Sequence, residues 1–281
     1  MKKRVVAAIV SAMAACLMFA LCGCTEAYNP DASMKEQTVD ASATKNAGTM
    51  IVGVDASSYP FAGQSNGKMS GLEVDVAAAL AQEMGLKVDF VDVGMDGLEA
   101  LADGEVDVVM GVEEDADTKA WKSEAYSPAC ICLYSMDEGA KVPKKGSDIT
   151  IAAQTSSLSA WLVTRQYGNE ALQAEDELKA VFQGLQDGTV PYVAADAVVG
   201  SYVLNSMGID GHIIGLMQPE GGYCMAVSAD NSALQVGLTE ALSTIQGNGL
   251  MSIIMTKWTG CPVAISDVPM TAGAKAEAKR S

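Results

Sequence analysis

GLEVDVAAALAQEMG, residues Gly71 to Gly85, is the stretch that decides the fold. Leu72, Val76, Leu80 and Met84 recur every four residues, which lays one apolar stripe along a helix. Gly85 follows the stripe, where a helix C-terminal cap takes a left-handed residue. Upstream, MIVGVD is a short apolar strand, and NGK (Asn66 to Lys68) is a hairpin-type turn. Downstream, LKVDFVDV alternates as a strand. Asp96 and Glu99 in DGLEALADG fit a capping box on a short helix closed by Gly104, and VDVVMG is the next strand. This β-α-β-α-β order argues for an α/β layer architecture.

The order then recurs. ITIAAQ is a strand, with Ser156 or Ser157 as cap of the helix LSAWLVTRQYG. DELKAVFQGLQDG reads as helix, VPYVAA as strand, DAVVGSYVLNSMG as helix and HIIGL as strand. Two helices close the chain, from about Asn231 to Gly247 and from about Leu250 to Trp258. Two α/β units of similar plan imply two lobes joined by a double crossover. The first connection is expected at about Leu133 to Lys141 and the second at about Met217 to Tyr223. Residues 49–133 and 222–265 then form lobe 1, and 134–221 form lobe 2. Ligands of open α/β units sit beyond the carboxyl ends of strands, so the lobes would pinch a cleft.

The 281 residues are 49% hydrophobic, enough for one large core or two smaller ones. A formal net charge of −17 repels phosphate backbones, and 5% aromatic content leaves few stacking platforms. Nucleic acid is therefore not an expected partner. The start is a targeting segment: Lys2-Lys3-Arg4, the apolar run Val5 to Leu21, then LCGC. Residues 1–23 read as a signal peptide, 24–48 as a flexible tether and 266–281 as a disordered tail. Of seven cysteines, Cys130 and Cys132 share one face of a strand; they read as buried thiols, and an extracytoplasmic setting also allows a disulfide from Cys224 to one of them. No CxxC occurs and His212 is the only histidine, so neither a metal nor a cofactor is expected.

Residues Thr49 to about Gly260 resemble the extracellular solute-binding proteins that serve polar amino-acid ABC importers, which have the type II periplasmic-binding-protein fold. Gly71 to Met84 fits that family's helix signature. VGVDASSYPF, GLEALADGEVDVVMG, AAQTSS, LQDGTVPYVAADAVVGSYVL, EGGYCMAVSADN and LTEALSTIQGNGLMSIIMTKWTG follow in the family's order. LCGC resembles a bacterial lipoprotein box, which implies that Cys24 is acylated and anchors the mature protein to the cell membrane. The resemblance implies a small-molecule solute and permease subunits as partners, hinged closure of the lobes, and no enzyme activity.

It also implies site residues. Tyr59 and Phe61 match the aromatic loop that covers a ligand. Gly111 and Val112 match the strand end that binds through exposed backbone. Thr155, Ser156 and Ser157 match the lobe-2 turn, and Asp196 matches the acid that pairs with an α-ammonium group. Each has a structural role beside the functional one: lobe-1 packing for the aromatics, and helix capping for the serines and Asp196.

The match breaks at GVEEDADTK, Gly111 to Lys119. The family runs Gly, apolar, Thr, x, Thr and then an arginine that grips a carboxylate. Here Glu113 and Asp115 occupy the threonine positions and Thr118 the arginine position, with Lys119 as the adjacent cation. Three readings stand for the acidic run. A metal loop would need alternating acids and a Gly turn, which EEDAD lacks. A solvated turn is the ordinary fate of a charge run. Otherwise Glu113 and Asp196 face a cationic solute across the cleft. Two other functional classes remain beside the solute receptor: a sensory adaptor with a degenerate cleft, and a dehydratase-type enzyme on the same scaffold.

Overall fold

The structure is a computed structural model and describes residues 35–278. The leader, Cys24 and the last three residues lie outside the described residues. The strands are β1 (Thr49–Val54), β2 (Gly63–Ser65), β3 (Lys68–Ser70), β4 (Lys87–Asp92), β5 (Val108–Glu113), β6 (Trp121–Lys122) and β7 (Ser127–Ala129). They continue as β8 (Ile131–Ser135), β9 (Ile151–Gln154), β10 (Leu172–Glu175), β11 (Tyr192–Asp196), β12 (His212–Leu216) and β13 (Gly221–Val227). The helices are α1 (Leu72–Glu83), α2 (Gly97–Ala102), α3 (Leu158–Tyr167), α4 (Leu178–Gln186), α5 (Ala197–Met207), α6 (Ser232–Gly247), α7 (Leu250–Thr259) and α8 (Ala272–Ala278).

Two sheets define two lobes. Lobe 1 orders its strands β4-β1-β5-β13-β6, with β7 also on β13. Lobe 2 orders them β10-β9-β11-β8-β12. Each sheet has a parallel part, β4-β1-β5 or β10-β9-β11, met by one antiparallel strand, β13 or β8. The expected α1 stripe is the lobe-1 core: Leu72, Val76, Leu80 and Met84 are all buried. Burying each such side chain contributes about 1.5–3 kcal/mol before its entropy cost. Gly85 takes φ +68°, as a cap requires, and Asn66-Gly67 turns the β2–β3 hairpin with both φ positive. Lobe 2 packs around Tyr134, Phe182 and Val193 on one face and Leu133, Ile151 and Val163 on the other.

Four expectations need correction. The first crossover comes earlier than Leu133, because Ile131 to Tyr134 already pair with β11 of lobe 2. The linking residue is Cys130, and its neighbour Ala129 still pairs with Gly221 in lobe 1. A third connection exists: after α7 the chain returns to lobe 2, where Ile265 joins the core and Met270 bridges to Leu216. The segment 266–278 is therefore not a loose tail within the described residues. Thr271 Oγ1 donates to Gln166 Oε1 at 2.6 Å, and Ala274 is buried. Its small side chains allow close approach but give no periodic signal. Likewise 35–48 lies along lobe 1, with Val39 and Ala43 in its core and Thr38 N donating to Met84 O at 3.0 Å. Lastly, Asp96 makes no side-chain cap to α2.

Candidate functional site

Strands β4, β1 and β5 run parallel, so their carboxyl ends share one edge of the lobe-1 sheet. A cavity of about 350 Å³ opens there, lined by Asp55, Glu73, Met95, Gly111, Glu113 and Tyr223 among others. The site is built around two glycines. Gly71 has φ +154°, and a Cβ on it would stand 2.1 Å from the Phe61 carbonyl oxygen. That close approach lets Leu72 N and Glu73 N donate to Pro60 O and Phe61 O, both at 2.9 Å. The aromatic loop is thereby folded onto the start of α1, and Glu73 is turned inward. Gly111 has φ +74°, and its Cβ would lie 2.9 Å from Glu73 Oε1.

Glu73 is the residue that reasoning from sequence missed. It is 3% exposed. The Tyr126 hydroxyl donates to its Oε1 at 2.7 Å and accepts from Gly111 N at 2.8 Å. Burial pushes the Glu73 carboxyl up to about 7; the Tyr126 bond opposes this and the Asp55 charge adds to it. A signal was available. Glu73, Val76, Ala77 and Leu80 stand at i, i+3, i+4 and i+7, so the acid sits on the buried face of α1. The other signature acid, Asp75, has an ordinary structural role: its Oδ2 accepts from Lys257 Nζ at 2.5 Å and Trp258 Nε1 at 2.7 Å.

Gly111, Val112 and Glu113 therefore do meet at one cavity, with Asp55 and Glu73 as unforeseen neighbours. Phe61 is buried and packs edge-on against Tyr223, with ring centroids 5.0 Å apart. Burial raises the Tyr223 hydroxyl, and the charges of Asp196, Glu113 and Glu73 raise it further. Glu73, Glu113 and Tyr223 line the cavity together. Tyr59 goes elsewhere: it is 47% exposed and meets Tyr202 of α5 and Trp258 of α7 edge-on.

Asp196 ends β11 and caps α5. Its Oδ1 accepts from Val198 N at 2.9 Å and Val199 N at 3.0 Å. Burial pushes its carboxyl up to about 6 against these hydrogen bonds. The Tyr134 hydroxyl donates to Asp196 O and Ala197 O, at 3.0 and 2.9 Å, and fixes the strand end from behind. Ser157 caps α3 by accepting from Ala160 N at 3.1 Å, while Ser156 takes φ +59°. Thr155 and Ser156 are exposed on lobe 2, and no contact joins them to the lobe-1 cavity.

The acidic run is a rim. Glu113, Glu114, Asp115 and Asp117 are exposed, and Glu113 alone of them lines the cavity. Lys122, another residue that sequence reasoning passed over, pins the loop: its Nζ donates to Glu114 O at 2.6 Å and Ala116 O at 2.7 Å. Lys119 is exposed and does not line the cavity. Among the described residues no group of three or more His, Cys, Asp or Glu is placed to hold a metal ion. Cys130, Cys132, Cys224 and Cys261 are free thiols, the first three buried. No helix among the described residues is long and apolar enough to cross a membrane.

Comparison with known proteins matches residues 50–261 to the bacterial extracellular solute-binding proteins, family 3. The L-cystine-binding protein TcyJ of Escherichia coli (strain K12) is 23% identical over 237 residues, covering 78% of this chain and 85% of TcyJ. The arginine-binding extracellular protein ArtP of Bacillus subtilis (strain 168) is 23% identical over 255 residues, covering 88% and 95%. Among solved structures, a polar amino acid ABC uptake transporter substrate binding protein from Streptococcus thermophilus superposes with a TM-score of 0.69 at 18% identity, covering 82% of this chain and 90% of that one.

Proposed function

The chain belongs to the bacterial extracellular solute-binding proteins, family 3, and from that premise we propose that it is the receptor of an ABC importer for a small cationic solute. One observation carries the choice of charge. The lobe-1 cavity is lined by three carboxylates, Asp55, Glu73 and Glu113, and by no Lys, Arg or His. A positive solute gains from such a wall, and a free carboxylate is repelled by it. Tyr223, which lines the cavity and packs edge-on against Phe61, adds an aromatic face worth roughly 0.5–2 kcal/mol to a cation. ArtP is named for arginine, a cationic solute, which accords with this reading. The binding set is Phe61, Gly111, Val112, Glu113 and Asp196, extended by Asp55, Glu73 and Tyr223, with Thr155, Ser156 and Ser157 on the facing lobe; Tyr59, packed on Tyr202 and Trp258, stays outside it. Lys119, the only cation beside the family's arginine position, stays outside it.

In this reading the lobes close on the solute about the crossovers at 129–131 and 216–221, which lie side by side through Met217 N donating to Ile131 O at 2.8 Å. Small-angle scattering should show a more compact particle with saturating ligand. Anchoring through acylated Cys24 keeps the receptor at the cell membrane beside its permease; Cys24→Ser should release it or leave it unprocessed. The binding claim is tested by a thermal-shift screen of cationic, neutral and acidic solutes. A true ligand at a hundredfold excess over its Kd stabilises by about 2.7 kcal/mol. Shifts confined to cations support the proposal. Shifts confined to neutral or acidic amino acids refute it, and no shift with any solute favours the adaptor.

A further inference from the structure

The lobe-1 cavity offers acceptors, while the backbone donors beside it are already occupied. At the start of α1, Leu72 N and Glu73 N are held by Pro60 O and Phe61 O. At the strand end, Gly111 N donates to the Tyr126 hydroxyl and Glu114 N to Gly222 O, both at 2.8 Å. Across the divide, Val198 N and Val199 N serve Asp196 Oδ1, and Ala197 N serves Cys130 O. The amides at the starts of α1 and α5 are thus engaged internally, and the α3 turn at Thr155 to Ser157 does not line the lobe-1 cavity. On the acceptor side, Glu73 is 3% exposed and engages only its Oε1. Among the described residues its Oε2 accepts no hydrogen bond, and Glu73 lines the cavity. Tyr223 is the only lining residue whose side chain carries a donor.

Resting on the cationic reading above, we propose that the solutes of this receptor are amines or guanidines that lack a carboxylate, with Glu73 Oε2 taking a charged N–H at the cavity floor. An α-amino acid would bring a carboxylate into a closing cleft where it loses water and finds acids instead of donors. The corresponding decarboxylated amine keeps every favourable contact and avoids that cost. The lobe-1 half of an α-carboxylate clamp is absent here: Thr118 stands at the arginine position, and the amides of Gly111 and Glu114 are engaged elsewhere. The burial that raises the Glu73 carboxyl agrees with a group that gains from a cation at its free oxygen.

The test is calorimetry on the full-length chain at pH 8 with matched pairs differing only by the carboxylate: agmatine against arginine, and cadaverine against lysine, with glutamine as the neutral probe. The expected result is at least tenfold tighter binding of an amine than of its parent amino acid. Glu73→Gln should cut amine affinity at least tenfold. Glu113→Gln, on the exposed rim where folding is not at stake, should cut it less but measurably. Arginine or lysine binding as tightly as agmatine or cadaverine overturns the carboxylate-free inference and leaves the cationic reading standing. Binding of glutamine alone, or of none of the five, overturns both. Unchanged amine affinity in a folded Glu73→Gln protein removes Glu73 from the site.

Discussion

The two lobes solve the same architectural problem with one acid each, and they use the acids in opposite ways. In lobe 2, Asp196 ends the third parallel strand and accepts two backbone N–H groups of its own helix. In lobe 1, Glu73 stands at the second position of its helix, where the backbone N–H groups are bound by the aromatic loop. Its carboxyl receives a single phenolic donor. Both groups are pushed up by burial, Glu73 to about 7 and Asp196 to about 6. In both, burial is the larger effect and hydrogen bonds oppose it: one phenolic donor for Glu73 and backbone N–H groups for Asp196. A carboxylate that caps its helix is satisfied without a ligand. One that is buried with an idle oxygen is destabilising until something positive arrives.

The largest effect that would sharpen this contrast is on unliganded stability. A carboxyl whose folded-state pKa is raised binds more protons folded than unfolded, so stability falls as pH rises through the window between the two values. For Glu73 that window runs from 4.5 to about 7, and for Asp196 from 3.8 to about 6. Glu73→Gln should therefore stabilise the unliganded protein at pH 8, by on the order of 3 kcal/mol. At pH 4 it should change little, because both side chains are then neutral. Urea denaturation at the two pH values reads this directly; equal effects at both would deny Glu73 its buried charge. Cation binding runs the other way, weakening as pH falls below about 7 and Glu73 takes up its proton.

Next in size is Tyr126→Phe. It removes the only donor to Glu73 and leaves Gly111 N unbonded, and should cost about 1–3 kcal/mol in a buried setting. It should also move the pH midpoint of cation binding upward, which loss of packing alone would not do. At pH 4, where the charge penalty of Asp196 is absent, Asp196→Ala strips the cap from α5 and should cost about 1–2 kcal/mol. Asp196→Asn, which keeps an accepting oxygen, should recover most of that. If Asn destabilises as much as Ala, the cap is not what Asp196 supplies and the contrast between the lobes weakens. The smallest expected effect is Lys119→Ala, within about 0.5 kcal/mol in stability and with cation affinity unchanged. A collapse of amino-acid binding in that variant would instead make Lys119 the carboxylate clamp and the acidic run a mere solvated turn.

What the sequence determined by itself was whatever acts over a single helical turn or a single hairpin. The Leu72–Met84 stripe, the left-handed Gly85, the Asn66-Gly67 turn, a serine cap at 156 or 157 and the cap at Asp196 all follow from neighbours a few residues apart. Their hydrogen bonds and periodicities are local, so they survive almost any tertiary context. The presence of Gly111, Val112 and Glu113 at a strand end was legible for the same reason. Only the tertiary structure decided what lay opposite them. The partner of Glu73 is Tyr126, 53 residues away. The first crossover was fixed by pairing of Ile131 with Asp196, and the return of the C-terminal segment by Met270 against Leu216. Val39 and Ala43 were drawn into the lobe-1 core by α1 and α6 rather than by any pattern of their own. A carboxylate reads the same in sequence whether it meets water, a helix end or a sealed wall. Its free energy depends on groups brought to it by folding, and that is why the chemistry of this site became visible last.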